Sequence, residues 1–232
     1  MKFLYVLLFS VFATSGFAED LMPSAQDILN RMELSFEKIE DYVVTLEGTI
    51  KMEGIHVPET EAILFYKKPN KIHIESKGIL FLPKKIMAIN PYYLNRYFKP
   101  LSIETKIVKD VTIYKITLIP TEKKLRNEIE IWVEDKHWSI KKMKIAGLKG
   151  STVLTYIEYT MIKGKYWLPK STVVELNIPA KARRHEIFAD LGEMDRWEEK
   201  GTEKTKKGIV NILFKNYRGV NAGLSDEVLR GK

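Results

Sequence analysis

The chain has 232 residues, 38 basic against 30 acidic side chains, a formal charge of +8 and no cysteine. Without cysteine there are no disulfides and no thiolate metal sites, so packing alone must hold the fold. The lysines are scattered among acids rather than gathered into a stripe, which argues against nucleic acid as a partner.

Met1-Lys2 precedes an apolar run from Phe3 to Val11, and Gly16-Phe17-Ala18 puts small residues at the positions a signal peptidase inspects. This is the pattern of a secretory signal peptide cleaved after Ala18. The alternative is an uncleaved anchor, but the run is shorter than the ~20 apolar residues that span a bilayer. The expectation is an exported, periplasmic protein whose residues 19–232 form a single domain.

The first element after the signal is a helix over Ser24 to Glu40. Ala25, Ile28, Met32, Phe36 and Ile39 recur at three- and four-residue steps, which makes one apolar stripe. Ser24 and Asp27 form a capping pair at its start, and Lys38 suits the dipole at its end. Such a helix must lay its stripe on another layer.

Strands follow. Val43 to Met52 alternates, with Val44, Leu46, Ile50 and Met52 on one side. Glu53-Gly54 and Pro58 bracket a turn; Glu61 to Lys67 and Ile72 to Ser76 are the next strands, joined through Lys68-Pro69-Asn70. Ile79 to Leu82 is a short apolar run. Ile86 to Pro100 is crowded with aromatics and reads as a loop or short helical turn, either core packing or a ligand-lining lid.

Strands resume at Ile103 to Val108, Val111 to Ile119, Asn127 to Glu134, Trp138 to Ile145, Thr152 to Ile162 and Tyr166 to Ile178. Asp135-Lys136-His137 and Lys163-Gly164-Lys165 suit hairpin turns. Apolar residues on both faces, as in Val111 to Ile119, suit a sheet rolled around an interior. Residues 182–207 break the pattern as a charged insert; Ile187, Leu191, Met194 and Trp197 fit a second short amphipathic helix, with a loop over Thr202 to Lys207. Ile209 to Tyr217 is the last strand and should pair with Thr172 to Ile178. The expected class is mainly β (α+β), an incomplete antiparallel β-barrel with an N-terminal helix and a second short helix as lid.

Catalytic and metal signatures are lacking. His56, His73, His137 and His185 are dispersed, with no partner at ligand spacing; His73 and His137 read as solvated side chains. No phosphate loop, serine elbow or Cys-His pair occurs. Glu128 and Glu130 share a strand face, a common solvated arrangement. Neither a metal nor a cofactor is expected, and no catalytic residue is proposed. The 8 methionines, 10 phenylalanines, 11 tyrosines and 4 tryptophans suit a cavity for acyl chains, as they suit any β-rich core.

Three stretches carry a family resemblance: Ile28-Leu29-Asn30-Arg31-Met32 running to Ile39-Glu40-Asp41-Tyr42; Phe65-Tyr66-Lys67-Lys68-Pro69-Asn70-Lys71; and Phe214-Lys215-Asn216-Tyr217 through Asn221-Ala222-Gly223-Leu224. In their order and spacing they resemble the LolA-like outer-membrane lipoprotein carrier and sorting proteins. The resemblance implies a barrel whose apolar cavity, under a helical lid, holds the acyl chains of a lipid or lipoprotein in periplasmic transit. It also implies an inner-membrane transporter and an outer-membrane receptor as partners, with transient contact at a membrane surface. Lys68 stands where the carrier has an arginine that helps hold the lid closed; it is the latch candidate, without the guanidinium fork. Ile28, Met32 and Phe36 are expected on the lid's inner face. Val44, Leu46, Ile50, Leu64, Phe65, Ile72 and Ile74 are expected on the cavity wall, with strand parity open. The expected state is a monomer. A second reading is an envelope-stress regulator resembling RseB, a family that normally carries a further domain; a third is an enzyme on an unrelated β fold.

Overall fold

Alternating residues from Tyr42 to Ile212 turn one face of most of the strands inward, and the sheet they make curls rather than lying flat. The computed structural model describes residues 22–52, 55–76, 90–122, 128–146, 151–179 and 205–230. In chain order the elements are α1 (Ala25–Glu37), β1 (Asp41–Met52), β2 (Ile55–Lys67), β3 (Lys71–Ser76), α2 (Pro91–Tyr97), β4 (Phe98–Val108), β5 (Val111–Pro120), β6 (Glu128–Glu134), β7 (Ser139–Ala146), β8 (Thr152–Ile162), β9 (Tyr166–Pro179) and β10 (Thr205–Arg218). A 3₁₀ turn at Val228–Arg230 follows. The strands form one ten-stranded antiparallel sheet in the order β3-β2-β1-β10-β9-β8-β7-β6-β5-β4, which leaves β3 and β4 as edges and the barrel unclosed.

The last strand pairs as expected: Lys206 to Ile212 lie opposite Ile178 to Thr172. Lys109 and Asp110 both take positive φ, 49° and 61°, which gives the β4–β5 ribbon a tight turn matched to strand twist. Pro58 departs from its expected place in a turn. It lies inside β2, beside the register shift between Gly48/Ile50 of β1, where a residue without an N–H leaves no ladder bond unmade. The aromatic stretch yields a helix from Pro91, capped by Asn90, whose side chain accepts from the Tyr92 N–H at 2.9 Å. The segment around Ile187 to Trp197, and Ile79 to Leu82, lie outside the described residues. Thr205 to Lys207 belong to β10 rather than to a loop.

Helix α1 shows why the sheet must curl. Phe36 packs edge-on against Tyr66 of β2, with ring centroids 5.5 Å apart. Its neighbour Ser35 donates to the carbonyl of His137, between β6 and β7, at 2.8 Å. In sheet order β2 and β7 are five strand steps apart, about 24 Å if flat. Two adjacent helical residues reach both only if the sheet wraps round them. Bulges near Thr45, Leu101, Val133 and Tyr159 add bend along individual strands.

The core lies on the concave face. Val44, Leu46, Leu64, Ile116, Leu118, Ile131, Leu168 and Ile212 are buried there together with Ile28, Leu29 and Met32 of α1. Leu29 joins the helix's apolar stripe, while Ile39 is buried just past the helix end.

Candidate functional site

Ser24 starts α1 with a complete capping box. Its hydroxyl accepts from the Asp27 N–H at 3.1 Å, and the Asp27 carboxylate accepts from the Ser24 N–H at 3.1 Å. Hydrogen bonds from Ser24 hold the Asp27 carboxyl below its ordinary value. Along its length α1 is attached by small polar contacts. Gln26 donates to Asn95 at 2.7 Å and Asn95 to Glu33 at 2.5 Å, joining α1 to α2. Arg31 lies over the Trp138 ring at 4.7 Å.

The C-terminal end of α1 is gripped far more firmly. Lys68 Nζ donates to the Glu37 carbonyl at 3.3 Å and to Glu40 Oε1 at 3.2 Å, with Glu37 Oε1 at 3.7 Å. It is a cation on the last turn of the helix, and its hydrogen bond with Glu40 raises its pKa. Lysine thus meets the helix end through individual N–H donors rather than a planar fork. From the other side, Asn221 accepts from the Glu40 N–H at 2.8 Å and donates to the Lys38 carbonyl at 2.7 Å. The buried Asp41 carboxylate accepts from the N–H groups of Ala222, Gly223 and Leu224 at 3.0, 3.0 and 3.1 Å. Gly223, at φ 78°, turns the chain so that these donors converge.

Between α1 and the concave face lies a cavity of about 60 Å³. That is room for a few waters, well below the several hundred Å³ of a formed ligand pocket. Met32, Ser35 and Phe36 roof it; Tyr42 and Tyr66 close one side, and His137, Trp138, Ile140, Ile157, Tyr159 and Trp167 the other. Burial pushes the phenol groups of Tyr42, Tyr159 and Tyr217 up, and Tyr66 likewise, with Tyr42 adding to the effect there.

The expected site residues divide in three. Ile28, Met32 and Phe36 lie on the underside of α1, and Met32 and Phe36 border the cavity. Val44, Leu46, Ile50, Leu64, Ile72 and Ile74 belong to the concave face but pack into the core without bordering the cavity. Phe65 is a correction. It lies opposite His73 while its neighbours Leu64 and Tyr66 lie opposite Ile74 and Ile72, so Phe65 points to the convex face, its ring 5.8 Å from His73.

The far wall was missed in the sequence. His137 stacks on Trp167 with centroids 4.0 Å apart, rather than standing free in solvent. Glu134, buried, accepts from the Ser139 hydroxyl at 2.8 Å and from the Lys136 N–H at 3.1 Å, and its Oε1 lies 3.2 Å from His137 Nδ1. Ser139 in turn accepts from Trp167 Nε1 at 3.3 Å. The serine hydroxyl donates its hydrogen bond to the carboxylate, and the network braces the cavity wall. The only signal available was the Trp138, Tyr159 and Trp167 trio at strand ends. Among the described residues no three His, Asp or Glu side chains converge as a metal site. Glu130 is not simply solvated: burial raises its pKa, but hydrogen bonds from Lys115 and Lys144, each at 2.8 Å, outweigh that and hold it low.

No family model matches the sequence, and no curated protein matches it. Among solved structures the chain is similar to a LolA superfamily protein from Nitrosomonas europaea, at 9% identity and TM-score 0.55, over 89% of this chain and 97% of that one. It is also similar to a DUF1329 family protein from Desulfovibrio piger, at 12% identity and TM-score 0.56, over 88% of this chain and 95% of that one. A MucA/MucB complex from Pseudomonas aeruginosa aligns with a TM-score of only 0.27 and carries no argument. The fold is LolA-like: an open, curled antiparallel sheet with helices across its concave side.

Proposed function

We propose that this protein is an exported carrier that takes up acyl chains of a lipid or lipoprotein between α1 and the concave face. The observation that supports it is the asymmetric attachment of α1. Apart from Ser35 its underside is apolar, its length is held by a few polar contacts, and its C-terminal end is clamped by Lys68 and by Asn221, whose segment the Asp41 carboxylate holds. The helix is built to swing about residues 38–41 and expose the apolar surface it now hides. The cavity under it is a seed, not a container, so the ligand enters by displacing the helix.

The energetics suit a carrier. Each CH₂ moved from water to an apolar site gains about 0.8 kcal/mol. Moved from a bilayer, the same group exchanges one apolar medium for another, so loading and unloading stay nearly balanced. A closed helix keeps the empty protein from presenting a large apolar patch.

The absence of native cysteine makes a direct test possible. Ser35→Cys with His137→Cys places thiols on either side of the contact that holds α1 down. After delipidation, a fluorescent fatty acid should bind saturably to the reduced protein, lose binding on oxidation and regain it with reductant. No saturable binding, or binding indifferent to the lock, overturns the reading. Native mass spectrometry of protein from its own envelope should show co-purifying acyl mass; a bound polypeptide instead would favour a regulatory binding role. Amino-terminal sequencing of that material should begin at Glu19.

A further inference from the structure

The outer edge of β4 is an exposed strand edge with no described cover. Every residue from Leu101 to Val108 is exposed, Ile107 by 72%. β5 takes one side of the strand, and among the described residues nothing pairs with the other. A row of unpaired backbone N–H and C=O groups flanked by apolar side chains is a template for another strand.

The register with β5 assigns the faces of this edge. Ile103 lies opposite buried Ile116 and Thr105 opposite buried Tyr114, so Ile103, Thr105 and Ile107 belong to the concave face. Ser102, Glu104, Lys106 and Val108 belong to the convex face, where Glu104 also meets Lys115 at 3.2 Å.

The edge is complementary to itself. When two copies pair antiparallel about a two-fold axis, opposed residues share a face. With the axis at Thr105, Ile103 of each copy meets Ile107 of the other, and Glu104 of each meets Lys106 of the other. Moving the axis one residue either way sets Glu104 against Glu104 or Lys106 against Lys106 and also breaks the isoleucine pairs. We infer that β4 pairs with β4 of a second copy, antiparallel and centred on Thr105, so that one sheet runs through both molecules. The contact is small beside a standard interface, so the dimer is weak and depends on concentration. It does not rest on acyl binding, since the pairing uses only the outer edge of β4.

Sedimentation velocity on purified protein, from low micromolar to near millimolar, should show a monomer–dimer equilibrium. Glu104→Lys and Lys106→Glu should each weaken it about tenfold, because each sets like charges against each other at two places, and the double exchange should restore it. Thr105→Cys should oxidise to a covalent dimer across the axis, faster than Lys163→Cys on the exposed β8–β9 turn. All these positions are exposed, so folding is not at stake. A monomer at every concentration, a dimer indifferent to the charge exchanges, or equal crosslinking at the two cysteines overturns the inference.

Discussion

The sheet ends in two edges that are finished in opposite ways. β3 has only six residues, and the tail is drawn against it: Lys67 and Lys71 hold Asp226 at 2.8 and 2.9 Å, and the Val228–Arg230 turn packs alongside. β4 has eleven residues, and eight of them are bare. Residues 219–230 guard one edge and clamp the end of α1, while among the described residues no strand pairs with the other edge. The same tail thus does two jobs, so damage at the guarded side should be felt at the helix as well.

The largest effect should come where tail, helix end and sheet meet. Asp41→Ala removes a buried carboxylate on which three part-buried N–H groups converge, and urea unfolding should show a loss of about 3 kcal/mol. Hydrogen exchange should rise at the same time in α1 and in residues 219–226, which are linked through this carboxylate. Loss confined to the tail would separate the two jobs.

Next in size is the guard on β3. Hydrogen bonds from Lys67 and Lys71 hold the Asp226 carboxyl down at about 2 against an ordinary 3.8. A depressed carboxylate contributes stability that is complete above its unfolded value and lost as pH falls through its folded one. Tail docking, followed by amide exchange at residues 224–229, should therefore weaken between pH 4 and pH 2. Asp226→Asn should remove that pH step.

Lys68→Ala should leave the urea midpoint almost unchanged, as exposed ion pairs do, yet speed exchange in the last turn of α1 and strengthen fatty-acid uptake. Unchanged uptake would deny Lys68 any latch role. Smallest of all, Ile107→Ser on the bare edge should leave monomer stability within about 0.5 kcal/mol of the parent. A substantial loss there would mean that β4 is covered in the free protein.

Much of this layout was legible in the residues. The capping pair Ser24/Asp27, the stripe through Ile28, Met32 and Phe36, and the alternation in β1 report local geometry, and local geometry repeats with a short period. Strand parity was not legible at Phe65, because Leu64, Phe65 and Tyr66 are all large and apolar and only the pairing with β3 decides which points inward. Asn221 and Asp41 stood within stretches that carry the family resemblance, but their roles as anchors depend on hydrogen bonds spanning about 180 positions.

By itself the sequence determined that strands would alternate, that the first helix would need a partner surface, and that no covalent link would hold them. These follow from side-chain chemistry at neighbouring positions. Only the tertiary structure decided how far the sheet curls, that His137, Trp138 and Trp167 face Phe36 across a small cavity, and which strand edge is left open. Those depend on which distant strands come to lie side by side, a choice made by the whole core at once.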